Sequence, residues 1–271
     1  MPGHKAEPHT GLTDDHLHLC SAVREAGALA LSYFRTEVRQ WDKGKNDPVS
    51  EADHAVNDLL HERLQGARTD YGWLSEETED DPVRLERDLV WVVDPIDGTR
   101  AFLKGKPHFT ICAALVHKGH PVSAAVFNPA TDEFFEAYLD GGARLNGKPI
   151  APSKCLEIEG CRMAAYGPMF EHPAWPEAWP QMEIVSRNSV AYRIVLVANG
   201  AVDASLALNR KNDWDLAAAD LIVREAGGRI TTHDGHPFVY NKPMTKHRSL
   251  LAAGPALYEA LYARVGSLSL P

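Results

Sequence analysis

Cysteine is scarce in this chain: Cys20, Cys112, Cys155 and Cys161 are the four among 271 residues. No two form a C-x-x-C pair, and each sits in or beside apolar sequence. That argues against a disulfide framework or a zinc site, and the expectation is buried, reduced thiols in a reducing cytoplasm. Long apolar runs are also missing. None approaches the roughly 20 residues that a membrane span needs. The start, Met1-Pro2-Gly3-His4-Lys5, leads into polar sequence without the apolar core of a secretory signal. Positive charge is in deficit, with 28 Lys and Arg against 37 Asp and Glu and a formal net charge of −9. A general binder of nucleic acid or of anionic membrane is therefore disfavoured. A small anionic substrate is not, because local metal and local Lys or Arg decide that. A G-x-S-x-G elbow, a P-loop and an H-E-x-x-H helix are absent, as are internal repeats and low-complexity tracts. The histidine pairs His16/His18 and His233/His236 have no metal partners at the usual spacing and read as solvated or capping.

What is present fits one large domain or two joined subdomains, at 44% hydrophobic and 24% charged residues. Residues 1–13 are expected to be a flexible tail. Asp14 can cap a helix running to about Phe34, and a strand-like Val38–Trp41 follows. Ser50 and Asp53 have capping-box spacing at the start of a second helix. Short strands are expected at 72–75 and 89–93, then a meander of strands over 108–117, 122–128 and 133–138. After Pro149 the pattern alternates. Strands near 184–186, 202–208 and 229–232 are interleaved with helices at 189–198, from 213 to Gly227, and 255–264. The expected division is an α+β subdomain over 14–150 and an α/β subdomain over 151–271. The stretch His172–Pro180, rich in Pro and Trp, reads as an inserted surface loop or a partner contact.

Asp94-Pro95-Ile96-Asp97-Gly98-Thr99 carries the chemistry. It follows the apolar run Leu89–Val93, so two carboxylates sit three apart at the exit of a strand. Pro95 fixes its own φ and disfavours helix at Asp94. Gly98 allows a tight turn where backbone can approach a ligand. Crowded oxygen ligands on such a turn suit a hard divalent cation. Glu76 also follows a strand, and Asp215 lies in the first turn of a helix, where the dipole favours a carboxylate. Taken alone, Asp215 reads as a cap and Glu76-Glu77 as a solvated acidic loop. The i, i+3 spacing of the two aspartates differs from the i, i+2 spacing of haloacid-dehalogenase phosphatases.

With these motifs the sequence resembles the inositol monophosphatase family of Mg²⁺-dependent, lithium-sensitive phosphatases. Trp91–Thr99 matches its first signature, and Trp214-Asp215-Leu216-Ala217-Ala218 with Glu225-Ala226-Gly227-Gly228 its second. Asp47–Asp53 resembles its upstream Val-Thr-x-x-Asp motif, with Ser50 in place of Thr. Gly141–Ile150 resembles the hairpin that closes its first subdomain. The resemblance implies a layered α/β/α/β/α sandwich and a cytoplasmic phosphomonoesterase that binds two or three Mg²⁺. Glu76, Asp94, the Ile96 carbonyl and Thr99 would surround one ion, and Asp94, Asp97 and Asp215 a second. A third would use Glu76 and mostly water. Asp53 and Thr99 would orient and deprotonate the attacking water, and the Gly98 and Thr99 N–H groups would cradle the phosphate. A dianionic ester with a poor leaving group needs such ions, and four close carboxylates need them too.

The substrate is read from two positions. Inositol-specific members carry a Glu seven residues before the Asp of the Trp-Asp motif, where this chain has Leu208. Arg193 falls where the 3'(2'),5'-bisphosphate nucleotidases of the family carry a Lys. With Arg210 it would suit a second phosphate; the alternative for both is exposed solubilising charge. The sequence leans toward a bisphosphate nucleotidase, with inositol-1-phosphate and histidinol-phosphate hydrolysis close behind. Some bacterial members act instead as partners of the transcription machinery, a binding role of a different class. Family members are often homodimers, which this sequence neither requires nor forbids.

Overall fold

In a computed structural model, residues 11–44, 48–173 and 175–270 are described. Helix α1 (Leu12–Tyr33) begins two residues before Asp14. Strands β1 (Gln40–Asp42) and β2 (Pro48–Ser50) form an antiparallel pair, so Ser50 ends a strand as well as capping the next helix. Helix α2 (Glu51–Leu60) continues through a wider turn, His61–Gln65. Most of the expected tail and Asp47 of the upstream motif lie outside the described residues.

The first sheet has seven strands in the order of the chain: β3 (Gly72–Ser75), β4 (Leu89–Asp97), β5 (Thr110–His117), β6 (His120–Asn128), β7 (Glu133–Tyr138), β8 (Ala143–Leu145) and β9 (Lys148–Pro149). β3 and β4 run parallel and the rest is an antiparallel meander. Its central strands are apolar throughout because both faces are covered, as is usual for doubly covered sheets. Trp91, Val93, Ile111, Ala113 and Leu115 pack with α1 and α2. Val90, Val92, Cys112, Ala114 and Val116 point the other way, following the period of two along a strand. A Cβ on Gly27 of α1 would lie 2.3 Å from the Phe127 ring, so glycine lets helix and sheet approach closely.

The short helix α3 (Thr99–Leu103) leaves the end of β4 and packs Phe102 into the core on the α1 side, whereas beyond the second face α4 (Val190–Ala198) and α5 (Asp213–Glu225) form the middle layer. Their apolar faces share one core with both sheets. The second sheet has the order β11-β10-β12-β16-β14, built from β10 (Arg162–Ala164), β11 (Glu183–Val185), β12 (Ala204–Ala207), β14 (Arg229–Thr231) and β16 (Leu250–Ala253). A small pair, β13 (Lys211–Asn212) with β15 (Lys246–His247), leads into α5. Helix α6 (Pro255–Val265) covers the outer face. The layers are therefore α/β/α/β/α.

Two expectations change, and a third is filled in. The Asp94–Asp97 stretch is not a turn after a strand. β4 continues to Asp97, with an irregularity between Asp94 and Asp97 in its pairing with β5. Where it is described, the His172–Pro180 stretch is an irregular, mostly exposed surface segment, and its two tryptophans turn inward. Trp175 and Trp179 pack edge to face at 5.1 Å, against the Phe170 cluster, and the Arg264 guanidinium lies over Trp179. His16 and His233 are buried rather than solvated. His233 bonds Ser249 Oγ at 2.7 Å and the Leu268 carbonyl at 2.9 Å. Among the cysteines, Cys20, Cys112 and Cys161 are buried and Cys155 is half-buried.

Candidate active site

The end of β4 and the starts of α3, α4 and α5 converge on one cavity of about 370 Å³, and Asp53 of α2 reaches it only through Thr99. Glu76, Asp94, Ile96, Asp97, Gly98, Thr99 and Asp215 all line it. Carboxylate oxygens of Asp94, Asp97 and Asp215 lie within 4.8 Å of one another. The strand irregularity brings Asp94 and Asp97, three apart, to the same side. Asp97 Oδ2 accepts from Ser189 Oγ and from the Ala191 N–H, each at 2.6 Å, which ties it to the positive end of α4. Asp215 Oδ2 accepts from the Asn212 N–H at 2.7 Å, in a capping box at the start of α5.

Gly98 turns the chain from β4 into α3 at φ 96°. A Cβ there would meet the His108 carbonyl at 2.7 Å and Ser189 N at 3.1 Å, so the position needs glycine for both conformation and space. The Gly98 and Thr99 N–H groups precede the first helical hydrogen bond of α3, which the Ala101 N–H makes. Thr99 Oγ1 lies 2.9 Å from Asp53 Oδ1 and 3.0 Å from the Ile96 carbonyl. Asp53 Oδ2 in turn accepts from Ser50 N–H at 2.8 Å and Ser50 Oγ at 2.6 Å. The helix cap therefore also fixes the carboxylate that faces Thr99.

Electrostatically the cavity is frustrated. Asp94 is buried, and neither of its oxygens accepts a hydrogen bond from the described residues. Burial, then the charges of Glu76, Asp97 and Asp215, push its pKa well above the ordinary range. Burial also raises Asp97, Glu76 and Asp53, and lifts Asp215 to about 7, with Asp97 as its next contributor. Such a set would be costly unless a cation completes it. All-oxygen ligands from carboxylates and one carbonyl fit a hard dication such as Mg²⁺.

Several basic groups escaped the sequence reading. Lys43 Nζ donates to Glu76 at 3.0 Å and to Glu77 at 2.7 Å. Burial opposes its charge, but the two glutamates outweigh burial and raise its pKa. Arg100 and Lys211, with the neutral amide of Asn188, line the cavity with the acids. Lys211 belongs to the basic run beside Arg210, which was the available signal; nothing local marks Lys43.

Arg193 and Arg210 separate. Arg210 is exposed between β12 and β13 and lines neither cavity of this region. Arg193 Nε donates to the Ser189 carbonyl at 3.4 Å. Burial lowers its pKa, and the nearby charges of Asp97 and Asp215 oppose that. It lines a second cavity of about 560 Å³ together with Tyr166, Pro168, Met169, His172, Leu206 and Leu208. That cavity is mainly apolar.

A model of the inositol monophosphatase family matches residues 14–269. The Nus factor SuhB of Escherichia coli strain K12 is 30% identical over 257 residues, covering 90% of this chain and 92% of that one. The inositol-1-monophosphatase of Mesorhizobium japonicum is 32% identical over 236 residues, covering 82% and 84%. Among solved structures, the extragenic suppressor protein SuhB of Bartonella henselae superposes with a TM-score of 0.80 at 27% identity, covering 93% of this chain and 98% of that one. An inositol monophosphatase of Thermotoga maritima gives 0.77 at 27% identity, covering 91% and 94%.

Proposed function

Since the chain belongs to the inositol monophosphatase family, phosphatases that hydrolyse phosphate monoesters with Mg²⁺, we propose that its substrate is a 3'(2'),5'-bisphosphate nucleotide. One observation carries this reading: Leu208 lines an apolar cavity beside the catalytic one, with Arg193 on its wall. The hydroxyls of inositol need hydrogen-bonding partners, and Leu206, Leu208, Met169 and Pro168 offer no side-chain acceptor matched to them. A nucleobase can bury its faces against such walls and Tyr166. Arg193 can grip the second phosphate with a two-pronged guanidinium.

In this reading Glu76, Asp94, Asp97, Asp215 and the Ile96 carbonyl hold two or three Mg²⁺. When bound, the ions acidify the attacking water and stabilise charge on the leaving oxygen. The Gly98 and Thr99 N–H groups, with Arg100 and Lys211 near the rim, draw in and orient the phosphate. Thr99 Oγ1 takes a proton from the water while passing its own to Asp53 Oδ1. Asp53 is suited to receive it because burial raises its pKa, while Ser50 keeps its other oxygen in place. Glu76 orients that water, and Lys43 holds Glu76. Among the described residues no helix is long and apolar enough to cross a membrane.

The test compares kcat/KM on adenosine 3',5'-bisphosphate and on inositol 1-phosphate. The bisphosphate should be preferred, and Arg193→Ala should lower its kcat/KM by about 10- to 100-fold, the worth of a charged hydrogen bond. A preference for inositol 1-phosphate, as the Mesorhizobium relative's name suggests, would overturn the assignment. Histidinol phosphate belongs in the same panel. The relatives named Nus factor SuhB support a binding role as the second reading. A growth phenotype that survives in an inactive Asp94→Asn strain would favour it.

A further inference from the structure

Helix α5 and the first sheet come from distant parts of the chain, yet the carboxylate cavity draws on both. Asp94 and Asp97 lie at the end of β4, and Asp215 lies in the first turn of α5. Apolar packing joins the two elements. Packing of that kind loses its exact fit before it loses stability. Mg²⁺ tolerates no such slack, because it demands near-ideal octahedral geometry at about 2.0–2.1 Å. A directional tie behind the cavity supplies the precision that packing lacks.

Arg84 is its centre. It lies in the helical turn Pro82–Glu86, and its side chain is buried. Its Nε and Nη2 donate to the two carboxylate oxygens of Asp80, at 2.5 and 2.9 Å. Its Nη1 donates to Asn241 Oδ1 at 2.7 Å, and both Nη atoms reach the Lys242 carbonyl at 3.2 Å. Asn241 Nδ2 donates back to the Arg84 carbonyl at 3.1 Å. Residue 241 has φ 54°, a left-handed conformation that asparagine adopts more readily than most residues. Its own N–H donates to Asp213 Oδ2 at 2.8 Å. The same segment holds Asp213 twice more. The Thr245 carbonyl accepts the Asp213 N–H at 2.8 Å, and His247 Nε2 lies 2.8 Å from Asp213 Oδ1. Asp213 stands two residues before Asp215. The line Asp80–Arg84–Asn241–Asp213 therefore runs from the segment that follows Glu76 to the first turn of α5.

We propose that Arg84 and Asn241 are positioning residues, a polar strut that sets Asp215 against Asp94 and Asp97 at the spacing a metal ion requires. Neither residue lines the catalytic cavity, so both act through Asp213. A buried ion adds little net stability, whereas the planar five-donor fork of arginine fixes direction. This role rests on Asp94, Asp97 and Asp215 being metal ligands, and it is independent of which ester is hydrolysed.

The test uses the full-length protein stripped of metal, with Mn²⁺ binding followed by electron paramagnetic resonance and Mg²⁺ as the competitor. Asn241→Gly keeps the left-handed conformation and removes both side-chain bonds to Arg84. It should weaken Mn²⁺ binding about tenfold, the low end of what losing a group behind a metal ligand costs. Arg84→Met removes the fork and should weaken binding at least as much. The double variant should bind no worse than Arg84→Met alone, because both changes break one link. Should Arg84→Met fail to fold, Asn241→Gly still decides. Asp15→Asn is the control. It loosens the hold of Arg68 on a buried carboxylate of α1, so it should lower Tm and leave Mn²⁺ affinity unchanged. Wild-type Mn²⁺ affinity in Asn241→Gly, or an equal loss in Asp15→Asn, would overturn the proposal and leave Arg84 a structural clamp. A wild type that binds no Mn²⁺, or an Asp94→Asn variant that binds it just as tightly, would overturn the ligand assignment itself and the strut with it.

Discussion

Helix α5 carries three aspartates and treats them in two ways. Asp213 accepts from the Asn241 N–H at 2.8 Å and lies 2.8 Å from His247 Nε2. Asp220 accepts from Arg224 Nε at 2.8 Å and from the Tyr240 hydroxyl at 2.9 Å. Asp215, between them in sequence, accepts the Asn212 N–H and faces Asp97 and Glu76. The same contrast separates Asp15, bound by Arg68 and Tyr71, from Asp94, to which no described group donates. Where a buried carboxylate serves the fold, the fold supplies its donors. At the ligand-facing cluster the supply falls short: Asp94 receives no donor from the described residues, and burial and mutual repulsion still raise Asp97, Asp215 and Glu76 despite the donors they have, leaving charge for a ligand to balance.

Neutralising one member of each class breaks this comparison in opposite directions. Asp94→Asn should give the largest effect, a loss of about 10³-fold in kcat/KM, equivalent to roughly 4 kcal/mol. In Mg²⁺-free buffer the same variant should have a higher Tm than the wild type. It removes one of several mutually repelling charges and adds an amide that can donate to the remaining acids. A lower Tm would mean that Asp94 is stabilised by the fold after all. Asp220→Asn should do the reverse. Arg224 is partly solvated, so the loss should be about 1–2 kcal/mol, or roughly 2–8 °C in Tm for a chain of this size. Turnover should be retained. If Asp220→Asn abolished turnover without lowering Tm, the two classes would not be distinct.

The split also explains what was legible in the sequence. Asp94, Asp97, Gly98 and Thr99 are contiguous, and their chemistry follows from type and spacing. Asp53 was legible as a cap, because Ser50 and Asp53 form the reciprocal box their spacing suggests. The continuation of β4 through Asp97 was not, since Pro95 argues locally for a break. The pairing with β5 overrides that preference at the cost of an irregular register. β10 and β16 were missed because they are short and draw their pairing from distant strands. Partners brought in by tertiary packing were equally hidden. Lys43 reaches Glu76 across a loop and a helix, and Glu136 meets His16 and Cys20 only once α1 lies on the sheet.

The subtlest expected effect is how pH should change the stabilisation by Mg²⁺. Asp215 has a folded-state pKa of about 7 against an ordinary 3.8. Its raised value means that the native state holds this proton more tightly than the unfolded chain does. The metal-free fold is therefore favoured at low pH and loses stability as pH rises from about 4 to about 7. Asp97, Glu76 and Asp94 shift in the same direction. Mg²⁺ reverses the loss by binding the ionised acids, so protons compete with it. The rise in Tm at a fixed Mg²⁺ concentration should be small near pH 5.5 and large near pH 8, by mass action on the deprotonated site. In Asp215→Asn the rise should shrink at the higher pH, because a ligand and its titration are lost together. An equal Mg²⁺ effect at both pH values, or one undiminished in Asp215→Asn, would show that the ion binds elsewhere. Asp215 would then belong with Asp213 and Asp220 among the carboxylates the fold keeps for itself.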